Sequence, residues 1–176
     1  MCGIAGIHAY LGPASPVDRA ELLRMNARMA ARGPDGSGLW LSGDARIGFA
    51  HRRLAIIDLS DSGAQPMHSV DGRYTIVYNG EIYNYIELRA ELGEEDFRTH
   101  SDTEVVLRAF ERWGTECLKR LRGMFAMAIW DAVDQKLFMA RDRFGIKPFY
   151  WAATPDRLYF ASEIKALLPF LRDRRV

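Results

Sequence analysis

The chain has 176 residues, 48% of them hydrophobic and 27% charged, enough for one domain with its own core and too apolar for intrinsic disorder. Lysine plus arginine (24) against aspartate plus glutamate (23) leaves a formal charge of +1, which argues against a nucleic-acid footprint or a polybasic membrane patch. Two cysteines cannot build a disulfide framework, no metal-ligand spacing occurs, and no apolar run reaches the ~18–20 residues of a membrane span, so a reducing, cytoplasmic setting is expected.

The opening segment, residues 3–10, is short, apolar and broken by glycine, as a buried strand is. Residues 17–32 place Leu22, Met25 and Met29 three and four apart, which predicts a helix with one apolar face ended by Gly33-Pro34. Short strands are expected over 39–41, 47–50 and 54–57, followed by a polar loop over 58–66. Residues 73–78 read as a strand that stops at the turn signal Asn79-Gly80. A helix is expected over 81–92, with Ile82, Ile86 and Leu92 on or near one face. Ser101-Asp102-Thr103-Glu104 has capping-box spacing before another helix, whose apolar stripe runs through Val106, Phe110 and Trp113. Gly114 ends that stripe, and a short helix carries Cys117, Leu118 and Leu121. Strands follow over 124–130, 136–141, 149–152 and 158–161, and Ser162 starts a last helix that runs into Pro169. Strands at both ends with helices between them predict an α+β fold with antiparallel sheets in one domain.

Cys2 stands directly after the initiator methionine. A small second residue usually allows Met1 to be removed, leaving a cysteine with a free α-amine. Thiol and amine then form a self-contained pair, because an amine with a pKa of about 7.7–8 is a base poised near neutrality. Position alone does not decide between this chemistry and an ordinary cysteine in the first strand.

The surrounding motifs do. Cys2-Gly3-Ile4-Ala5-Gly6 resembles the N-terminal signature of class II glutamine amidotransferases, which belong to the N-terminal-nucleophile hydrolases. The resemblance continues in order through Arg32-Gly33-Pro34-Asp35-Gly36-Ser37-Gly38, His51-Arg52-Arg53-Leu54-Ala55-Ile56-Ile57-Asp58 and Gly63-Ala64-Gln65-Pro66-Met67. Tyr78-Asn79-Gly80-Glu81-Ile82-Tyr83-Asn84 and Ser101-Asp102-Thr103-Glu104 complete the set of pocket motifs. Two later stretches, residues 141–148 and 160–165, resemble the glutamine-hydrolysing asparagine synthetase branch.

This resemblance implies a four-layer αββα sandwich with two antiparallel sheets and Cys2 as the nucleophile. It implies that Arg53 binds the substrate carboxylate, a task suited to the paired donors of guanidinium. By the same resemblance Asp102 pairs with the substrate ammonium, Glu81 helps to hold it, and Leu54, Ala55, Ile56 and Ile57 line the glutamine site. Asn79 and Gly80 form the implied oxyanion hole, where glycine would take positive φ and turn its N–H inward. The implied reaction is hydrolysis of glutamine to glutamate and ammonia, without metal or organic cofactor. ATP and magnesium are expected only for a synthetase domain or subunit that receives the ammonia and makes asparagine from aspartate. That domain's SGGxDS-type loop does not occur in the sequence, so residues 1–176 read as the glutaminase domain alone. The partners expected are glutamine and the synthetase part, with no nucleic acid and no membrane; pairing into a homodimer stays open. Residues 60–67 are expected to close over the bound substrate.

Two other readings stand beside this one. The same fold could serve as a silent binding or regulatory module with Met1 retained, or it could feed a different acceptor such as a sugar phosphate. Cys117 and Trp113, Trp130 and Trp151 read as packing residues, His8, His51, His68 and His100 show no metal spacing and no clear base role, and the arginines at 172, 174 and 175 read as a solvated end.

Overall fold

The computed structural model describes residues 1–57 and 60–171. In chain order the elements are β1 (Gly3–Ala9), α1 (Arg19–Arg28), β2 (Gly36–Leu41), β3 (Ile47–Arg53), β4 (Met67–His68) and β5 (Tyr74–Ile82). Two helices follow, α2 (Tyr85–Leu92) and α3 (Asp102–Trp113), and then β6 (Gly123–Asp131) and β7 (Lys136–Arg141). The chain closes with β8 (Tyr150–Ala153), β9 (Arg157–Ala161) and the short α4 (Ile164–Leu167). The α+β class and the two antiparallel sheets agree with expectation.

The chain divides into two compact units, one built from Met1–Leu54 with Pro148–Val176 and the other from Ala55–Lys147. In the first unit the strands run in the order β2-β3-β1-β9-β8. Strand β1 lies between two antiparallel neighbours, which is why its sequence is apolar almost throughout. Ala5, Ile7 and Ala9 pack with Leu22 and Met25 of α1, with Met29 at its C-terminal cap and with Ala166 and Leu167 of α4. The three-and-four spacing seen in the sequence is therefore the buried stripe of α1. This helix begins with a closed capping box: Ala20 N–H donates to the Asp18 carboxylate at 2.9 Å, and Asp18 N–H donates to Glu21 at 3.0 Å.

The second unit has its own sheet, in the order β4-β5-β6-β7. Its core joins Ile76, Tyr78 and Ile82 of β5 and Phe125, Met127 and Ile129 of β6 to Val105, Val106 and Leu107 of α3. Tyr74, Phe110 and Phe138 add edge-to-face and tilted ring contacts at 5.5 and 5.0 Å.

Several local expectations change. Residues 54–57 form no strand, because the partners of β3 run out: Gly3 of β1 pairs with Arg52, and Gly36 of β2 pairs with Arg53. Asn79-Gly80 is no turn but the middle of a ladder, paired with Ala126 and Phe125. Glu81 and Ile82 extend that strand, so the helix starts only at Tyr85, and Ile86 points to solvent. The Ser101–Glu104 box does not close. Ser101 caps the N–H of Thr103 at 3.1 Å, whereas Glu104 accepts from Arg98 and Thr99 N–H at 3.0 and 2.7 Å. The segment carrying Cys117 is 3-10 helix. Trp151 is exposed on β8, an outermost strand, rather than packed. Asp58 and the arginines at 172, 174 and 175 lie outside the described residues.

Candidate active site

In the first unit the nucleophile candidate is held by backbone contacts on both sides. Cys2 is half-buried at the start of β1. Its Sγ accepts the N–H of Leu54 at 3.3 Å and lies 3.5 Å from the Leu54 carbonyl, to which the thiol donates. Arg32 Nε donates to the Cys2 carbonyl at 2.8 Å, and its Nη1 stands 3.7 Å from the Glu163 carboxylate. Ser162 closes the frame: Ile4 N–H donates to its Oγ at 3.0 Å, and its own N–H donates to the Ile4 carbonyl at 2.8 Å. These bonds hold the chain immediately around residue 2 to segments 30 and 160 residues away in sequence.

Glycine lets the backbone just after Arg32 lie directly against β3. A Cβ on Gly33 would stand 2.5 Å from the carbonyl carbon of Arg52 and from the nitrogen of Arg53, so the backbones touch there. Arg53 ends β3 half-buried, with its side chain beside Gly36, where a Cβ would lie 3.3 Å from the arginine Cβ. Gly36 thus leaves room for the aliphatic stem of Arg53.

In the second unit the other candidate residues gather around the end of β5 and the start of α3. Asn79 is buried, and among the described residues no acceptor reaches its Nδ2. A buried amide donor left without a partner costs about 1–3 kcal/mol, which a purely structural asparagine would avoid. Gly80 does not adopt positive φ. The expectation that it turns its N–H by a left-handed conformation is replaced by a steric reason. A Cβ there would stand 2.6 Å from the Met124 carbonyl and 2.7 Å from Cζ and Oη of Tyr78.

Asp102 is the first residue of α3 and is 5% exposed. Its Oδ2 accepts from the Tyr78 hydroxyl at 2.9 Å and from the Ile82 N–H at 3.0 Å. Burial pushes its carboxyl above the ordinary carboxylate range. The N–H of Ile82 and the Tyr78 hydroxyl pull the other way, and the charge of Glu81 adds to the upward push. A buried, electron-rich carboxylate with a second carboxylate near it favours a cation.

The remaining predicted residues are placed as follows. Leu54 serves the thiol through its backbone, Ala55 and Ile57 are half-buried, and Ile56 is exposed in the bend after β3. Gln65 anchors the end of the expected lid: its Oε1 accepts from Tyr78 N–H at 2.6 Å and its Nε2 donates to Thr103 at 3.2 Å. Burial pushes the Cys117 thiol up to about 11, as suits a packing cysteine. Among the described residues no group of three or more His, Cys, Asp or Glu side chains could hold a metal ion. No helix among them is long and apolar enough to cross a membrane. Arg32, Ser162 and Tyr78 gained no role from the sequence, although all three lie inside the motifs that carried the resemblance.

Residues 1–175 match the family model described as glutamine amidotransferase domain. Among curated proteins the chain is similar to glutamine-hydrolyzing asparagine synthetase 1 of Bacillus subtilis, 46% identical over 171 residues that make up 96% of this chain and 27% of that protein. It is also similar to asparagine synthetase 2 of the same organism, 44% identical over 168 residues, covering 95% of this chain and 22% of that one. The chain therefore spans about a quarter of the length of these relatives. Among solved structures it resembles the glutamine phosphoribosylpyrophosphate amidotransferase of B. subtilis in complex with ADP and GMP, with a TM-score of 0.76 at 21% identity. That match covers 94% of this chain and 43% of the other. The likeness shows the fold, which is the amidotransferase fold that the sequence motifs implied.

Proposed function

Since the chain belongs to the glutamine amidotransferase domain family, we propose that it hydrolyses the side-chain amide of glutamine through a thioester on Cys2. After Met1 is removed, the α-amine of Cys2 takes the thiol proton and the thiolate attacks the amide carbon. The amide oxygen becomes an oxyanion, which the Asn79 side-chain NH₂ and the Gly80 N–H receive. The tetrahedral intermediate collapses, the α-amine returns a proton, and ammonia leaves. Water then attacks the γ-glutamyl thioester, releasing glutamate and restoring the thiol. Arg53 holds the substrate carboxylate, Asp102 and Glu81 hold the ammonium, and Leu54 to Ile57 line the site. No step of this sequence calls on a metal or an organic cofactor.

The observation that carries the reading is the buried, unsatisfied Nδ2 of Asn79. Donors aimed at a charge that forms only in the transition state are unmatched in the resting protein and are among the strongest catalytic terms. The ammonia acceptor is proposed from the relatives: a synthetase domain or subunit that converts aspartate to asparagine with ATP and magnesium. Glutamate release from glutamine tests the reaction, with the N-terminus checked by mass spectrometry. Cys2→Ala should abolish release, and equal rates in the two proteins would overturn the mechanism.

A further inference from the structure

On the helix-facing side of β5 the residues alternate Tyr78, Gly80, Ile82, as the two-residue period of a strand requires. The middle position is glycine, and the phenol of Tyr78 lies across it: a Cβ on Gly80 would fall 2.7 Å from both Cζ and Oη. This carries the hydroxyl along the strand to Asp102, where it donates to Oδ2 at 2.9 Å. The N–H of Ile82 donates to the same oxygen at 3.0 Å. Both donors therefore converge on one carboxylate oxygen, and neither is spent on Oδ1.

We infer that Tyr78 is a positioning residue for substrate binding, orienting the Asp102 carboxylate so that Oδ1 is presented to the α-ammonium of glutamine. This rests on the proposed assignment of glutamine as substrate and of Asp102 as its ammonium partner. With one oxygen pinned from two sides, the carboxylate plane is set before substrate arrives, so binding need not order it. The hydroxyl also stabilises the ionised carboxylate against its burial, and only that form attracts a cation. The Tyr78 hydroxyl packs over Gly80 but spends its proton on Asp102. Its removal should act on substrate affinity rather than on turnover.

The test is Tyr78→Phe in the intact protein, which deletes only the hydroxyl. The expected result is a rise in KM for glutamine of about tenfold, the scale of one charge-assisted hydrogen bond, with kcat within about twofold of wild type. The rate at which iodoacetamide alkylates Cys2 should not change, since that reagent carries no α-ammonium. A KM equal to that of wild type, or a parallel loss of kcat and of Cys2 reactivity, would assign Tyr78 an ordinary packing role and overturn the inference. Wild-type protein that releases no glutamate from glutamine would overturn the functional proposal itself, and this inference with it.

Discussion

Two aspartates of the second unit, Asp102 and Asp142, are almost equally buried, at 5% and 6% exposed, and their carboxyls shift in opposite directions. Burial works to raise both. At Asp142 it is outweighed by four backbone donors: Phe144 and Ile146 N–H reach Oδ1 at 3.1 and 2.9 Å, and Lys147 and Phe125 N–H reach Oδ2 at 3.0 and 3.2 Å. Its carboxyl therefore falls below the usual range. Asp102 has the Ile82 N–H and the Tyr78 hydroxyl on one oxygen and a weaker contribution from the Thr103 backbone, with Glu81 nearby, and burial wins. The difference lies in how fully the charge is already served. A carboxylate saturated with backbone donors is a fastener for its loop; one left partly served keeps capacity for a ligand.

That contrast predicts different casualties. Asp142→Ala strips four buried N–H groups of their acceptor and should cost about 4 kcal/mol in urea unfolding, while KM for glutamine stays near wild type in the folded fraction. Asp102→Asn keeps an acceptor for Tyr78 and Ile82 but loses the charge. It should raise KM for glutamine by about a hundredfold and leave stability within about 1 kcal/mol of wild type. If both variants failed in the same assay, the division into fastener and ligand group would be wrong.

The smallest effect is in the pH dependence of unfolding. The Asp142 carboxyl titrates lower in the folded than in the unfolded state, so its contribution is present above the unfolded value and is lost as pH falls through the folded one. Asp102 titrates higher when folded, so its ionised form costs stability near neutrality, and that cost fades as pH falls through the folded value. Between about pH 7 and pH 3, unfolding of wild type and Asp142→Asn should therefore converge, whereas wild type should gain on Asp102→Asn. Parallel curves for the two variants would contradict the opposite shifts.

Much of this was legible in the order of residues. The N-terminal Cys2, the collinear motifs and the apolar spacing of Leu22, Met25 and Met29 are local patterns, and they led to the family, the sheets and the face of α1. Asn79-Gly80 was misread as a turn because the dipeptide reports only a backbone preference. Whether it turns or pairs depends on a partner strand more than 40 residues later, Ala126 and Phe125. Residues 54–57 had strand-like composition, yet a strand needs a neighbour, and the pairing of β3 ends at Arg52 on one side and Arg53 on the other.

Sequence alone therefore determined the family to which the chain belongs and the rough order of its elements, because motifs and periodicities are written in neighbouring residues. Only the tertiary structure decided how those residues are poised. The bonds from Arg32 to Cys2, from Ser162 to Ile4 and from Tyr78 to Asp102 join positions 30, 158 and 24 residues apart. Contacts of that range leave no local trace, because each is fixed by where the strands stop and which side chain glycine makes room for.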